Sequence, residues 1–206
     1  MKSISPLTAI ALALVLAAGA NTAQAQDPVA PEANTTRAAG QASASSSAVK
    51  KGMTWGVYPS NPITGTAYVS CQGAPNSPNQ PSGHCNPYAG DTPGDMRLPV
   101  LCFKALGQPN PVPNVNPASD PAYWSGGVIA TTPPVSPIAM NWQGKPSAVV
   151  TAYCVSQFGP GWQVAEFHMG QNKGWKFGAY GNVGQPGRQR FWVHINNQPN
   201  GNVWGP

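Results

Sequence analysis

The sequence predicts a small, loop-rich α+β domain stabilised by disulfides, with one main helix and an antiparallel sheet. Three observations lead there. A single stretch beginning near residue 146 has helical spacing, whereas several short apolar runs are bounded by Gly, Pro and Asn. Pro and Gly number 24 and 23 in 206 residues, so connections occupy much of the chain. Four cysteines form an even set in a chain that opens with an export leader. The strand-like segments lie before and after the helix without alternating with it, which separates the pattern from a βαβ array.

The leader comprises Lys2, an apolar run over residues 7–18 and Ala23-Gln24-Ala25 as a small-x-small cleavage site. Its apolar run falls short of the roughly 20 residues that cross a bilayer, and no later segment is longer, so no membrane span is expected. The first cysteine is Cys71, which leaves no thiol for a lipid anchor at the cleavage point. Residues 1–25 are therefore read as a Sec signal peptide, and the chain as secreted or periplasmic.

Residues 26–52 are rich in Pro, Ala, Thr, Asn and Ser and hold no aromatic, the first being Trp55. Such a segment cannot bury enough apolar surface to offset ordering, so a disordered Ala/Ser/Thr-rich spacer is expected. Residues 53–206 form the single expected domain. Extended segments are predicted at 53–58 and 64–71, separated by a turn between Pro59 and Pro62. Residues 72–95 are almost wholly Gly, Pro, Asn, Ser and Gln between two cysteines, the composition of a stapled loop. Residues 97–106 (RLPVLCFKAL) read as a strand buried on both faces, and five prolines in 107–121 exclude a helix there. A strand is predicted at 127–132. The helix runs from Pro146-Ser147 to about Phe158 and stops at Gly159-Pro160-Gly161. Strands follow at 162–168, 175–180 and 191–195.

Only 11 Lys/Arg and 6 Asp/Glu occur in the chain, against the roughly one quarter charged of a cytosolic domain. Beyond Glu166 there is no acidic side chain, while Lys173, Lys176, Arg188 and Arg190 follow with His168 and His194. A basic, aromatic-rich C-terminal surface suits an anionic glycan, an envelope polymer or another envelope protein better than nucleic acid, which recruits more cations. Trp175, Lys176, Arg190, Trp192 and Trp204 are the candidate ligand-binding residues, as an aromatic platform beside two cations. The alternative is that these tryptophans are core and the cations only solvate the surface.

Cys71, Cys85, Cys102 and Cys154 allow three connectivities. Cys71 with Cys85 flanks the loop, and a strand-to-helix bridge from Cys102 to Cys154 is the sensible second pair. Zinc at His84-Cys85 competes poorly, because the spacing matches no zinc knuckle and export favours oxidation. No metal and no cofactor are expected.

The remaining constellation is Glu166, His168 and His194. Period-two alternation puts Glu166 and His168 on one strand face, and His194 shares a face with Trp192. Were the two strands neighbours, two histidines and a carboxylate could either hold a metal or serve acid–base work, as in an extracellular hydrolase. The plainer expectation is a polar strand face, so the chain is read as more consistent with a binding module than with an enzyme.

Residues 148–168 (AVVTAYCVSQFGPGWQVAEFH), followed by Ala179-Tyr180-Gly181-Asn182 and Phe191-Trp192-Val193-x-Ile195-Asn196, resemble a pattern of secreted bacterial proteins without an assigned activity. The likeness covers about residues 97–206. A Cys-bearing helix before a Gly-Trp strand is also similar to the bacterial C-type-lectin-like modules, which implies that the final strands form a binding face. Two departures limit what that implies. Val203 stands before Trp204 where such chains often have Cys, which directs Cys154 towards Cys102. Gln198-Pro199-Asn200 resembles the lectin ligand tripeptide, but Ca²⁺ takes about six to eight oxygens, and Glu166 is the only acid beyond Asp120.

Overall fold

The computed structural model describes residues 49–59, 63–71, 85–114, 116, 119–170 and 175–206, all within the compact unit Ser46–Pro206. The expected leader, nearly all of the spacer, most of the 72–95 loop including His84, and Lys173 lie outside the described residues.

The chain forms strands β1 (Lys51–Gly52), β2 (Thr54–Val57), β3 (Thr66–Ser70), β4 (Thr92–Pro93), β5 (Leu101–Ala105) and β6 (Trp124–Thr131). Helix α1 (Ala148–Phe158) follows, then β7 (Gln163–Val164), β8 (Lys176–Tyr180) and β9 (Arg190–Trp192). Seven strands pair in the order β7-β5-β6-β8-β3-β2-β9, and β1 pairs with β4 in a separate ribbon. An α+β domain with one α-helix among the described residues and two disulfides is thus present.

The sheet is mixed, which corrects the expectation of an antiparallel one. β6 runs parallel to β8, with Trp124 opposite Gly178, while the other strand pairs are antiparallel. The segment between β6 and β8 holds α1 and β7, a connection long enough to cross over and return in the same direction. β2, near the start of the domain, lies between β3 and β9, so the two ends of the domain meet in one sheet.

Strand alternation divides the core into two layers. Trp55, Val69, Leu101, Phe103, Phe177 and Phe191 pack in one cluster. Val100, Cys102, Trp192 and Val203 pack in the other, together with Val150 and Cys154 of α1. This explains why 97–106 is nearly continuously apolar: Leu101 and Phe103 face one layer, Val100 and Cys102 the other. The Tyr68 ring lies against Gly178, where a Cβ would come within 2.5 Å of it, so β3 and β8 require a glycine at that crossing.

Both expected disulfides form, Cys71–Cys85 across 14 residues and Cys102–Cys154 across 52. The second fastens α1 to β5, and the C-terminus closes over the start of α1 through Ser147 N–H donating to Pro206 O at 3.2 Å. Gly159, with φ of 94°, ends the helix in a conformation that disfavours a side chain.

Several boundaries differ from expectation: β6 already begins at Trp124, and β9 ends at Trp192, short of His194. The spacer does not extend to residue 52, because Lys51 and Gly52 pair with Pro93 and Thr92 and the Lys50 ammonium donates to Trp204 O at 3.1 Å. Local composition carries no sign of these long-range partners. The expected strand over 162–168 is shorter: it pairs as β7 and then turns, with Met169 N–H donating to Glu166 O at 3.2 Å.

Candidate functional site

Arg190 is buried, and its guanidinium contacts the Asp91 carboxylate and the Thr54 hydroxyl. Asp91, itself 0% exposed, also accepts from Thr54 N–H at 2.9 Å. Burial pushes the Asp91 carboxyl up to about 6 despite the opposing pull of the guanidinium and the Thr54 bonds. Burial likewise pushes the Arg190 pKa down, opposed by Asp91. The pair holds β9 to β2 and to the start of β4 from inside.

Trp192 and Trp204 are 0% and 1% exposed and belong to the second core layer. Lys176 is half-buried, its ammonium 5.0 Å from the Tyr58 ring centre and 4.8 Å from that of Tyr123. The expected platform of Trp175, Trp192 and Trp204 beside Lys176 and Arg190 is therefore not assembled. The physical reason is that β9 is covered on both faces, so alternation there selects between two core layers and exposes neither. Of those five residues, only Trp175 presents a large exposed ring, at 43%.

Glu166 and His168 do meet. His168 Nδ1 lies 2.8 Å from Glu166 Oε1, and His168 N–H donates to Oε2 at 2.7 Å. Asn196 N–H adds a bond to Oε1 at 3.3 Å. The carboxylate thereby fastens the turn after β7 to the segment after β9. His194 pairs with Glu166 through the backbone as an isolated parallel bridge. Its ring is buried, with Nδ1 receiving Trp204 Nε1–H at 3.0 Å and lying 3.1 Å from Asn202 Oδ1. Burial pushes the His194 pKa below its ordinary value, opposed by the Glu166 charge and the Asn202 bond. The imidazole is consequently held neutral within the fold. Among the described residues no cluster of three His, Cys, Asp or Glu side chains is placed to hold a metal ion.

Around the Glu166–His168 turn the chain forms a shallow depression of about 190 Å³. Tyr88, Trp175 and His168 line it with Asn197 and Gln198. Trp175 is braced from below: its ring meets Phe167 edge-on at 5.5 Å, and Phe167 meets buried Trp55 at 5.4 Å. A surface aromatic is thus seated on the core rather than on a mobile stem. Tyr88 is 62% exposed. It follows the Cys71–Cys85 bridge, in a turn where the Asn86 side chain accepts from Tyr88 N–H at 3.0 Å.

Tyr88, Asn197 and Gln198 were not singled out from sequence as binding residues. The signals that could have raised them are a lone aromatic in a polar loop beside a disulfide, and the amide-rich run Asn196-Asn197-Gln198.

The chain matches no family model, no curated protein and no solved structure with which it was compared. No helix of the described residues is long and apolar enough to cross a membrane.

Proposed function

We propose that this chain is an exported, non-catalytic binding module that holds a glycan or glycan-bearing envelope polymer on the Tyr88–Trp175 depression. The observation that carries this reading is the pairing of two exposed rings with the side chains of Asn197, Gln198 and His168 around one recess. A pyranose has an apolar C–H face that stacks on an aromatic ring and hydroxyls that pair with amides and imidazole nitrogens, so such a surface meets both needs at once. Trp175 on its aromatic brace loses little freedom on binding, which keeps the ordering cost low.

The anionic form of the reading has weaker support. Lys176 is engaged by two tyrosine rings and Arg190 by Asp91, which leaves exposed Arg188 as the free-standing cation among the described members of the basic set. Stacking and hydrogen bonding, rather than charge, therefore carry the recognition. The C-type-lectin-like relationship belongs to this proposal and rests on a Cys-bearing helix bridged to a strand before a Gly-Trp turn. Export and the signal peptide belong to it too, supported by the leader pattern and by two disulfides.

The hydrolase reading keeps one observation in its favour, the 2.8 Å contact of Glu166 with His168 beside the depression. It ranks second because Glu166 already accepts from two backbone N–H groups and the His194 ring is spent inside the fold.

The test is retention of the purified chain on insoluble peptidoglycan and on immobilised lipopolysaccharide. Trp175→Ala and Tyr88→Ala are each expected to lower retention by about tenfold or more with unchanged circular dichroism, as truncating a central aromatic anchor does. Parent-like retention by both variants would remove the depression from consideration.

A further inference from the structure

A second recess, of about 370 Å³, opens where the ends of β2, β3 and β8 meet the loop of residues 181–187. It lies within the roughly 300–1,000 Å³ range of small-molecule sites, whereas the Tyr88–Trp175 depression is smaller. Its lining joins apolar Val57 and Ala67 and the rings of Tyr58 and Tyr68 to the amides of Asn182 and Gln185. Among the described residues no Asp, Glu, Lys, Arg or His lines it.

The loop beside the recess is held to its path by glycines. Gly181 has a φ of 125°, and a Cβ there would lie 2.3 Å from Ile129 O. Gly184 has a φ of 109°, and Asn182 Oδ1 accepts from its N–H at 3.1 Å. That bond sets the orientation of the Asn182 amide and leaves its NH₂ group as a donor.

The occupant can be narrowed chemically. Without a charged lining group, an ionic ligand would lose its hydration uncompensated. A peptide strand finds little edge to join, since β2, β3 and β8 each have a neighbour on both sides and only Val57 and the short stretch Thr66–Ala67 run past the paired registers. What remains is a compact neutral ligand with an apolar face for tyrosine and hydroxyls for amides.

We propose that this recess is a second binding site, for a single uncharged pyranose unit. It stands independently of the reading given to the Tyr88–Trp175 depression. Occupied together, two sugar sites would let one module hold a polymer at two points, where even weak sites gain from linkage.

The experiment is NMR titration of the ¹⁵N-labelled full chain with methyl β-D-glucopyranoside, the methyl glycoside of N-acetylglucosamine, methyl β-D-glucuronide and a proline-rich decapeptide. The backbone amides of Gly65, Gly181 and Gly184 report this recess, and the Trp175 indole N–H reports the other depression. Saturable shifts of those glycines with a neutral glycoside, at a Kd on the order of 1–10 mM, are expected. Gln185→Trp, at an exposed rim position, is expected to weaken them about tenfold or more by filling the recess. Tyr58→Phe keeps the ring beneath Lys176 and is expected to cost a few-fold. Glycine amides that stay still up to about 50 mM glycoside, well above that range, would overturn the proposal. So would shifts produced only by the glucuronide or only by the peptide. A still Trp175 indole beside moving glycines would refute the first site and leave this one standing.

Discussion

Replacing Arg190 with Met keeps a long apolar stem and removes the guanidinium, which asks directly whether this cation supports the fold or a ligand. Asp91 is fully buried, and the Thr54 N–H and hydroxyl that also donate to it are neutral. Taking away one partner of a buried ion pair typically costs about 3–5 kcal/mol, because the remaining charge has no counter-ion and little water.

The size of this loss should depend on pH. Asp91 ionises at about 6 in the fold against 3.8 for an unperturbed aspartate. A raised carboxyl pKa contributes stability below pH 3.8 that is lost as pH rises through about 6. At about 1.4 kcal/mol per unit, ionising Asp91 in the parent costs on the order of 3 kcal/mol across that window. Without the guanidinium the carboxyl pKa rises further, so the window extends upward in Arg190→Met. The variant should be less stable than the parent by about 3–5 kcal/mol at pH 8 and by much less at pH 4, where a protonated Asp91 needs no cation.

Urea unfolding followed by tryptophan fluorescence at pH 4, 6 and 8 measures this, on the parent, Arg190→Met, Asp91→Asn and the double variant. The double variant should be less damaged at pH 8 than the two single losses added, by about 2 kcal/mol or more. The reasoning fails if Arg190→Met unfolds within about 0.5 kcal/mol of the parent at pH 8, the ordinary range of a surface substitution. Reduced polymer retention in such a stable variant would return Arg190 to the ligand-binding set.

Three further outcomes are expected. His194 has a depressed pKa, so its contribution is present above pH 6.5 and lost as pH falls below it; His194→Asn should flatten the stability–pH curve below 6.5 while lowering stability at pH 8. A parent and variant with parallel curves would count against a neutral buried ring. The Cys102–Cys154 bridge closes 52 residues and Cys71–Cys85 closes 14, so chain entropy assigns them about 4 and about 3 kcal/mol, readable as urea midpoints of paired Cys→Ala variants. Non-reduced peptide mapping that finds free thiols or other pairings would contradict both assignments. Finally, Glu166→Gln should loosen the turn at His168, seen as faster amide hydrogen exchange at His168 and Asn196, with no change in polymer cleavage. Cleavage by the parent that disappears in this variant would favour the hydrolase reading.

Local chemistry was enough to place the longer strands and the helix and to favour both bridges, but not the ribbon of β1 and β4, which lay in an expected spacer and an expected loop. The helix was legible because Pro146 and Gly159 punctuate it, and the buried strand because residues 98–103 are apolar at successive positions. The pairing was favoured because one pair of cysteines flanks a loop and the other lies in the strongest strand and the one clear helix. Direction and depth were not legible. Nothing within 124–131 or 176–180 states that these strands run parallel, since that depends on how the intervening chain crosses over the sheet. Strand alternation could say that Trp192 faces away from Phe191. Whether that face meets water or α1 was decided by the helix docking through Cys154. Arg190 carries the same lesson. An arginine near the end of a basic segment looks like a surface cation until Asp91, 99 positions earlier, is folded against it. By itself the sequence indicated the longer regular segments and favoured one of three thiol pairings, because composition and periodicity are carried by neighbours along the chain. Only the tertiary structure decided which aromatics and cations reach solvent, because burial depends on what packs from elsewhere in the chain.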